Sequence, residues 1–123
     1  MSQPLALVIE DDRFLLEVFS KAVARAGYRV EGVTDGELAR QCLHTLLPDI
    51  VVLDLRLPEV PGADLLTQIR ADPRLAHTRV IIATSDVYQG YTLRPLADVV
   101  LIKPVGYAQL RELAGQMLVP VAR

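Results

Sequence analysis

Three carboxylates, a hydroxyl and an ammonium stand in this sequence where short apolar runs give out. Glu10 and Asp11 follow Leu5-Ala6-Leu7-Val8-Ile9, and Asp54 follows Ile50-Val51-Val52-Leu53. Thr84 and Ser85 follow Val80-Ile81-Ile82-Ala83, and Lys103 follows Val99-Val100-Leu101-Ile102. Apolar runs of this length without polar alternation predict strands of a parallel sheet buried on both faces. Each polar residue then sits at a strand's carboxyl end, where open parallel sheets bind ligands at the point of strand-order reversal. If the order is 2-1-3-4-5, strands one and three are neighbours about 4.8 Å apart, which would bring Asp11 and Asp54 together. Carboxylates that close repel, and a proton or a cation compensates. A divalent ion is the economical answer. Oxygen ligands alone, without imidazole or thiolate, point to Mg²⁺, which keeps several waters and commonly shares its shell with a phosphate.

The elements that must position these groups alternate along the chain, short apolar runs with amphipathic stretches, as repeated βα units do. From Arg13 to Ala26, Phe14, Leu15, Val18, Phe19, Ala22, Val23 and Ala26 recur at helical spacing, and Gly27 stands at the C-cap position. Asp12 has the place of that helix's N-cap. Tyr28 to Val33 predicts a second strand. Thr34-Asp35-Gly36 predicts a turn or cap, and Glu37 to Leu47 a helix closed by Pro48. Two prolines and a glycine in Leu55 to Gly62 predict a loop, followed by a helix from about Ala63 to Ala71. Gly90 and Pro95 lie between the fourth and fifth strands, so the helix there is expected to be short or broken. Tyr107 to Leu118 has the spacing of a closing helix. The reading is (βα)5, an α/β chain of five strands and helices on a parallel sheet forming one domain over residues 1–123.

Composition excludes several function classes. The 123 residues are about one domain's worth, and 51% are hydrophobic against 23% charged. Mean hydropathy is +0.30. Thirteen Lys and Arg against fifteen Asp and Glu leave a net charge of -2, without the basic excess that binding a phosphate backbone needs. No direct nucleic-acid partner is expected. The longest apolar run is the five residues Leu5 to Ile9, whereas a membrane span needs about 20 and a secretory apolar core about 7 to 15. No membrane insertion is expected, and the reading places the chain in the cytoplasm. The single cysteine, Cys42, has no disulfide partner, and neither His44 nor His77 has a second thiol or imidazole at ligand spacing. Zinc and redox roles are therefore not expected.

Four motifs in order, each ending a strand, resemble the receiver domains of two-component response regulators: Val8-Ile9-Glu10-Asp11-Asp12, Val52-Leu53-Asp54-Leu55-Arg56-Leu57-Pro58, Ile81-Ile82-Ala83-Thr84-Ser85 and Lys103-Pro104. The resemblance covers essentially the whole chain and implies a flavodoxin-like fold, a doubly wound five-stranded parallel sheet of order 2-1-3-4-5. It implies a phosphoacceptor, not an enzyme in the ordinary sense, that takes a phosphoryl group from a sensor histidine kinase or a histidine phosphotransfer domain and signals to a downstream protein effector. It makes Asp54 the acceptor, Asp11 a direct Mg²⁺ ligand, Glu10 a ligand through water, and the backbone carbonyl of Arg56 a further ligand. Thr84 would hydrogen-bond the phosphoryl group, and Lys103 would pair with its oxygens. In the family the Lys-Pro bond is usually cis. Arg56, Ser85 and Asp86 flank the site and would gate the attacking water. Donor specificity would lie on the first helix, around Phe14 to Val18, and in the loop after strand five. The chemistry is coherent in itself, because phosphoryl transfer depends on positioning and on stabilising charge spread over three oxygens. Only two of the basic residues are lysines, and one falls where a compact point charge is wanted.

The sequence also departs from the family pattern. Many receivers carry Tyr or Phe where Val100 stands, and valine cannot swing a large ring between exposed and buried states. The stretch from Thr84 to Lys103 is about three residues short by comparison with the family, and Ser85 stands where Ala or Gly is common, narrowing access to the phosphoryl group. Two rival readings follow. A receiver-like adaptor would act by contact without phosphorylation. A haloacid-dehalogenase-like phosphatase also uses an aspartate nucleophile with Mg²⁺, but such enzymes want a second Asp two residues after the first, where this chain has Arg56. About five residues are expected beyond the last helix, with no output domain following.

Overall fold

A sheet of apolar strands has two faces to cover, and the side-chain alternation of the first strand shows how the chain covers both. The computed structural model describes residues 3–118. β1 (Leu5–Ile9) is buried at every position. Ala6 and Val8 point into a core shared with Phe19, Ala22 and Val23 of α1 (Arg13–Ala26) and Leu110 and Ala114 of α5 (Tyr107–Gln116). Leu7 and Ile9 point into a second core with Ala39 and Leu43 of α2 (Gly36–Thr45) and Leu65, Leu66 and Ile69 of α3 (Gly62–Ala71). With β2 (Arg29–Val33), β3 (Ile50–Leu53), β4 (Arg79–Thr84) and β5 (Val99–Ile102), this forms a five-stranded parallel sheet of order β2-β1-β3-β4-β5, as expected.

Element bounds differ from expectation where local hydrogen bonds compete with the ladder. Gly27 adopts φ +123° at the end of α1, and the Tyr28 N–H donates back to the Val23 carbonyl at 3.2 Å. Tyr28 therefore completes the helix cap, and β2 begins one residue later. Asp35 accepts the Leu38 N–H at 2.8 Å, so α2 begins at Gly36. It ends at Thr45 because Leu46 is already extended on the approach to Pro48. α4 (Val87–Leu93) is the short helix expected, and it passes directly into a 3-10 turn at Arg94–Leu96 around Pro95. A second 3-10 turn, Pro73–Leu75, was not anticipated. α5 stops at Gln116, two residues short of expectation. The expected tail, residues 119–123, lies outside the described residues. Among the described residues, no helix is long and apolar enough to cross a membrane.

One long-range bond fastens the closing helix. Tyr28 is buried, and its hydroxyl donates to the Ala114 carbonyl at 2.9 Å; burial beside Asp49 pushes that phenol up to about 12. Tyr28→Phe keeps the ring and removes the donor, leaving a buried carbonyl short of a partner. The expected cost is about 1 to 2 kcal/mol, near 4 °C of melting temperature per kcal/mol at this size. A melting curve unchanged from wild type would show that the bond contributes nothing net.

Candidate functional site

The hydrogen-bond ladder runs one residue past the strand ends, and this gathers the polar groups. The Glu10 N–H donates to Val33, that of Asp54 to Ile9 and that of Lys103 to Thr84, at 2.8 to 3.1 Å. With Ile9 paired to Leu53 and Thr84 to Ile102, Glu10 comes beside Asp54, and Lys103 emerges from β5 beyond Thr84. One oxygen from each of Glu10, Asp11 and Asp54 lies within 4.8 Å of the others. Lys103 Nζ stands 2.8 Å from Glu10 Oε1 and 3.4 Å from Asp54 Oδ2. Glu10 is 1% exposed, Asp54 4% and Thr84 0%, whereas Asp11 is exposed. Two of the three acids are therefore buried and the third is open to solvent. The Lys103–Pro104 peptide is cis.

Neighbouring backbone groups orient each side chain. Asp54 Oδ1 accepts the Arg56 N–H at 3.2 Å, and Glu10 Oε2 accepts the Asp12 N–H at 3.1 Å. Glu10 Oε1 receives no hydrogen bond besides its ion pair with Lys103. Asp12 caps α1, accepting the N–H groups of Phe14 and Leu15 at 2.9 and 3.1 Å. Thr84 Oγ1 accepts the Asp86 N–H at 3.0 Å. Arg56 Nη2 and Asp86 Oδ2 are 3.8 Å apart, and Ser85, next to Asp86 in the chain, is exposed.

The electrostatics follow from burial opposed by pairing. Desolvation pushes the Glu10 carboxyl up to about 7, against the Lys103 ammonium and the Asp12 N–H. The same cause raises Asp54, opposed by the Arg56 N–H and by Lys103. Lys103 is raised although its own burial opposes this, because Glu10 and Asp54 face it. Two buried acids thus share one ammonium. Oxygen donors alone, at these mutual separations, fit a hard divalent cation bound at about 2.1 Å per oxygen with part of its shell left to water. Mg²⁺ suits the set.

The structure brings Glu10, Asp11, Asp54 and Lys103 together, with Thr84 joined to Lys103 across the β4–β5 ladder and Arg56 paired with Asp86. It leaves the other chemically capable side chains apart. Cys42 is half-buried on α2, where burial pushes its thiol up; His44 is exposed on the same helix, and His77 is exposed ahead of β4. Two glycines that support the site carried no signal beyond a helix start. A Cβ on Gly62 would stand 2.5 Å from the Asp54 carbonyl oxygen, and one on Gly36 would stand 2.2 Å from that of Val60. α3 and α2 therefore press their first turns onto the loop that follows Asp54. That loop turns tightly at Glu59, whose φ is +75°.

Comparison with known proteins agrees with this geometry. The family profile described as the response regulator receiver domain matches residues 6–114. The DNA-binding dual master transcriptional regulator RpaA of Synechocystis sp. is 34% identical over 106 residues, covering 82% of this chain, which spans only 43% of that relative. A probable methanogenesis regulatory protein of Methanothrix harundinacea is 31% identical, covering 87% of this chain and 76% of its own length. The signal receiver domain of a LuxO-type repressor from Vibrio parahaemolyticus superposes with a TM-score of 0.84 at 29% identity, over 95% of this chain and 91% of that one. The receiver domain of a Pseudomonas aeruginosa sensor histidine kinase, solved with a magnesium ion coordinated in its active-site cleft, gives 0.82 at 26% identity over 94% and 98%.

Proposed function

Because the chain belongs to the response regulator receiver domain family, we propose that it is a phosphoacceptor of a two-component relay, phosphorylated on Asp54 by a phosphohistidine donor and signalling through protein contacts. Receiver domains are signalling domains rather than enzymes in the ordinary sense. The observation that carries the reading is the convergence of Glu10, Asp11 and Asp54 on Lys103 at the strand ends. In the transfer, an Asp54 carboxylate oxygen forms the bond to phosphorus. The bond from phosphorus to the donor's imidazole nitrogen breaks, and that nitrogen keeps the electron pair. The Lys103 ammonium, already 3.4 Å from Asp54 Oδ2, pairs with phosphoryl oxygens, and the Thr84 hydroxyl donates to another. Glu10, Asp11, Asp54 and the Arg56 carbonyl would hold Mg²⁺, which when bound supplies positive charge against the phosphoryl oxygens.

The partners in this reading are a sensor histidine kinase or histidine phosphotransfer domain upstream and a protein effector downstream, in the cytoplasm. Phe14, 72% exposed in the first turn of α1, together with the residues to Val18, offers the donor an apolar contact near the acceptor. The test is incubation with acetyl phosphate with and without Mg²⁺, read by intact mass. One added phosphoryl group, dependent on Mg²⁺, is expected. No adduct in either condition would favour an adaptor that acts by contact alone.

The flanking residues set the expected lifetime. Arg56 and Asp86 approach to 3.8 Å with Arg56 largely exposed, a pairing worth only about 0 to 1 kcal/mol in stability. Their value is as a lid on the pocket, with Ser85 narrowing the entrance and no carboxamide among these flanking residues to align an attacking water. Slow autodephosphorylation is expected. Arg56→Asn combined with Ser85→Ala is expected to shorten the phosphoryl half-life, each tenfold corresponding to about 1.4 kcal/mol of barrier. A wild-type half-life of seconds, or a double variant as long-lived as wild type, would show that these side chains do not gate the water.

A further inference from the structure

α4 carries a glycine in its interior. Gly90 is buried within this seven-residue helix, and its N–H donates to the Asp86 carbonyl at 2.9 Å. Among ordinary helix residues only proline is less favourable there, so the position has a reason besides helix formation. That reason is clearance. A Cβ on Gly90 would stand 3.1 Å from Thr84 Cγ2 and 3.1 Å from Val100 Cγ1, inside the 3.5 to 4.0 Å or so at which carbon atoms pack best. The backbone of α4 thus rests directly against the methyl group of Thr84.

Threonine is β-branched, so fixing its methyl fixes its hydroxyl. With Cγ2 under Gly90, Oγ1 faces the Asp86 N–H at 3.0 Å, and none of the described residues accepts the hydroxyl proton, which stays available as a donor. We infer that Gly90 is a positioning residue for Thr84: the bare backbone of α4 leaves room for the Thr84 methyl in the rotamer that aims its hydroxyl, and a side chain at position 90 would displace it. The inference rests on the reading above that Thr84 contacts the phosphoryl group. Val100 completes the arrangement, since its small side chain lets α4 sit this close.

The test adds a methyl at position 90 and then removes the one it would strike. Since a Cβ there meets Val100 equally closely, all comparisons are made in a Val100→Ala background. Gly90→Ala is expected to shift the three-bond couplings that report Thr84 χ1 and to slow phosphoryl uptake from acetyl phosphate about tenfold, the factor carried by a misplaced hydrogen bond to a charged group. Adding Thr84→Ser, which keeps the hydroxyl and lacks the methyl, is expected to return uptake to within about twofold of the Val100→Ala, Thr84→Ser protein. Gly115→Ala in α5, where a Cβ meets nothing within 4 Å, controls for a helical glycine as such and is expected to change neither readout. Unaltered Thr84 couplings in the Gly90→Ala protein would overturn the inference, as would equal slowing whether threonine or serine occupies position 84. If wild type takes up no phosphoryl group, the proposed function fails, while the couplings still decide the role of Gly90.

Discussion

Asp54→Asn is expected to gain no phosphoryl mass under conditions that fully label the wild type, because a carboxamide oxygen is not a competent nucleophile toward phosphorus. The substitution is nearly isosteric. The carboxamide oxygen can still accept the Arg56 N–H, and the Glu10 to Lys103 pair at 2.8 Å is untouched. Stability separates a lost nucleophile from a lost fold. Burial raises the Asp54 carboxyl above its ordinary 3.8, so in the native state the ionised form is disfavoured, and stability is lost as pH rises from the unfolded value through the folded one. A neutral amide escapes that loss. The variant is therefore expected to melt no lower than wild type at neutral pH while remaining unlabelled. Equal labelling of both proteins would move the acceptor elsewhere.

Lys103→Ala is expected to have the largest effect on stability, and one that depends on pH. Lys103 is the cation facing Glu10 and Asp54, and removing one partner of a buried pair leaves uncompensated charge at a cost of about 3 kcal/mol. The protein can avoid part of that cost by protonating Glu10. In wild type Glu10 titrates at about 7 against an ordinary 4.5, so its ionisation lowers stability between those values and no further above them. Without the ammonium its folded value climbs higher, and the loss continues to higher pH. The difference between variant and wild type should accordingly open as pH rises through 7 and be small near 5. The Lys103 value is raised above 10.5, so the ammonium's own contribution is still intact at pH 8.5. Urea unfolding at pH 5.5 and 8.5 measures the difference, and Mg²⁺ at the higher pH is expected to narrow it. A difference independent of pH would show that Lys103 does not compensate these acids.

The alternation of strands and helices and the polar residues that end the strands were legible because both depend on patterns carried by adjacent residues, whereas the order of the sheet followed only from the family resemblance. Apolar runs without alternation require cover on both faces, and parallel strands place their polar successors at one edge, so Glu10, Asp54, Thr84 and Lys103 could be named from position alone. Asp12 was legible as a helix cap for the same reason, since a cap bonds only to the next two or three N–H groups. The short α4 was legible from Gly90 and Pro95.

Contacts between distant segments were not legible. Nothing in the sequence reveals that Tyr28 reaches the carbonyl of Ala114, or that Lys103 lies nearer Glu10 than Asp54. The close approach of Gly36 and Gly62 to the loop after Asp54, and of Gly90 to Thr84, was hidden as well. A glycine in sequence signals only freedom from a side chain, and whether that freedom serves a turn, a cap or clearance depends on what packs against it. The elevation of Glu10 to about 7 belongs to the same class, for it arises from burial by neighbours brought in from three strands. Local pattern suffices to say which residues line the strand ends and hence which chemistry is available. Their separations, their ionisation and the helix that bears on them come from packing between layers, because those depend on side-chain rotamers and desolvation that take shape when the layers close.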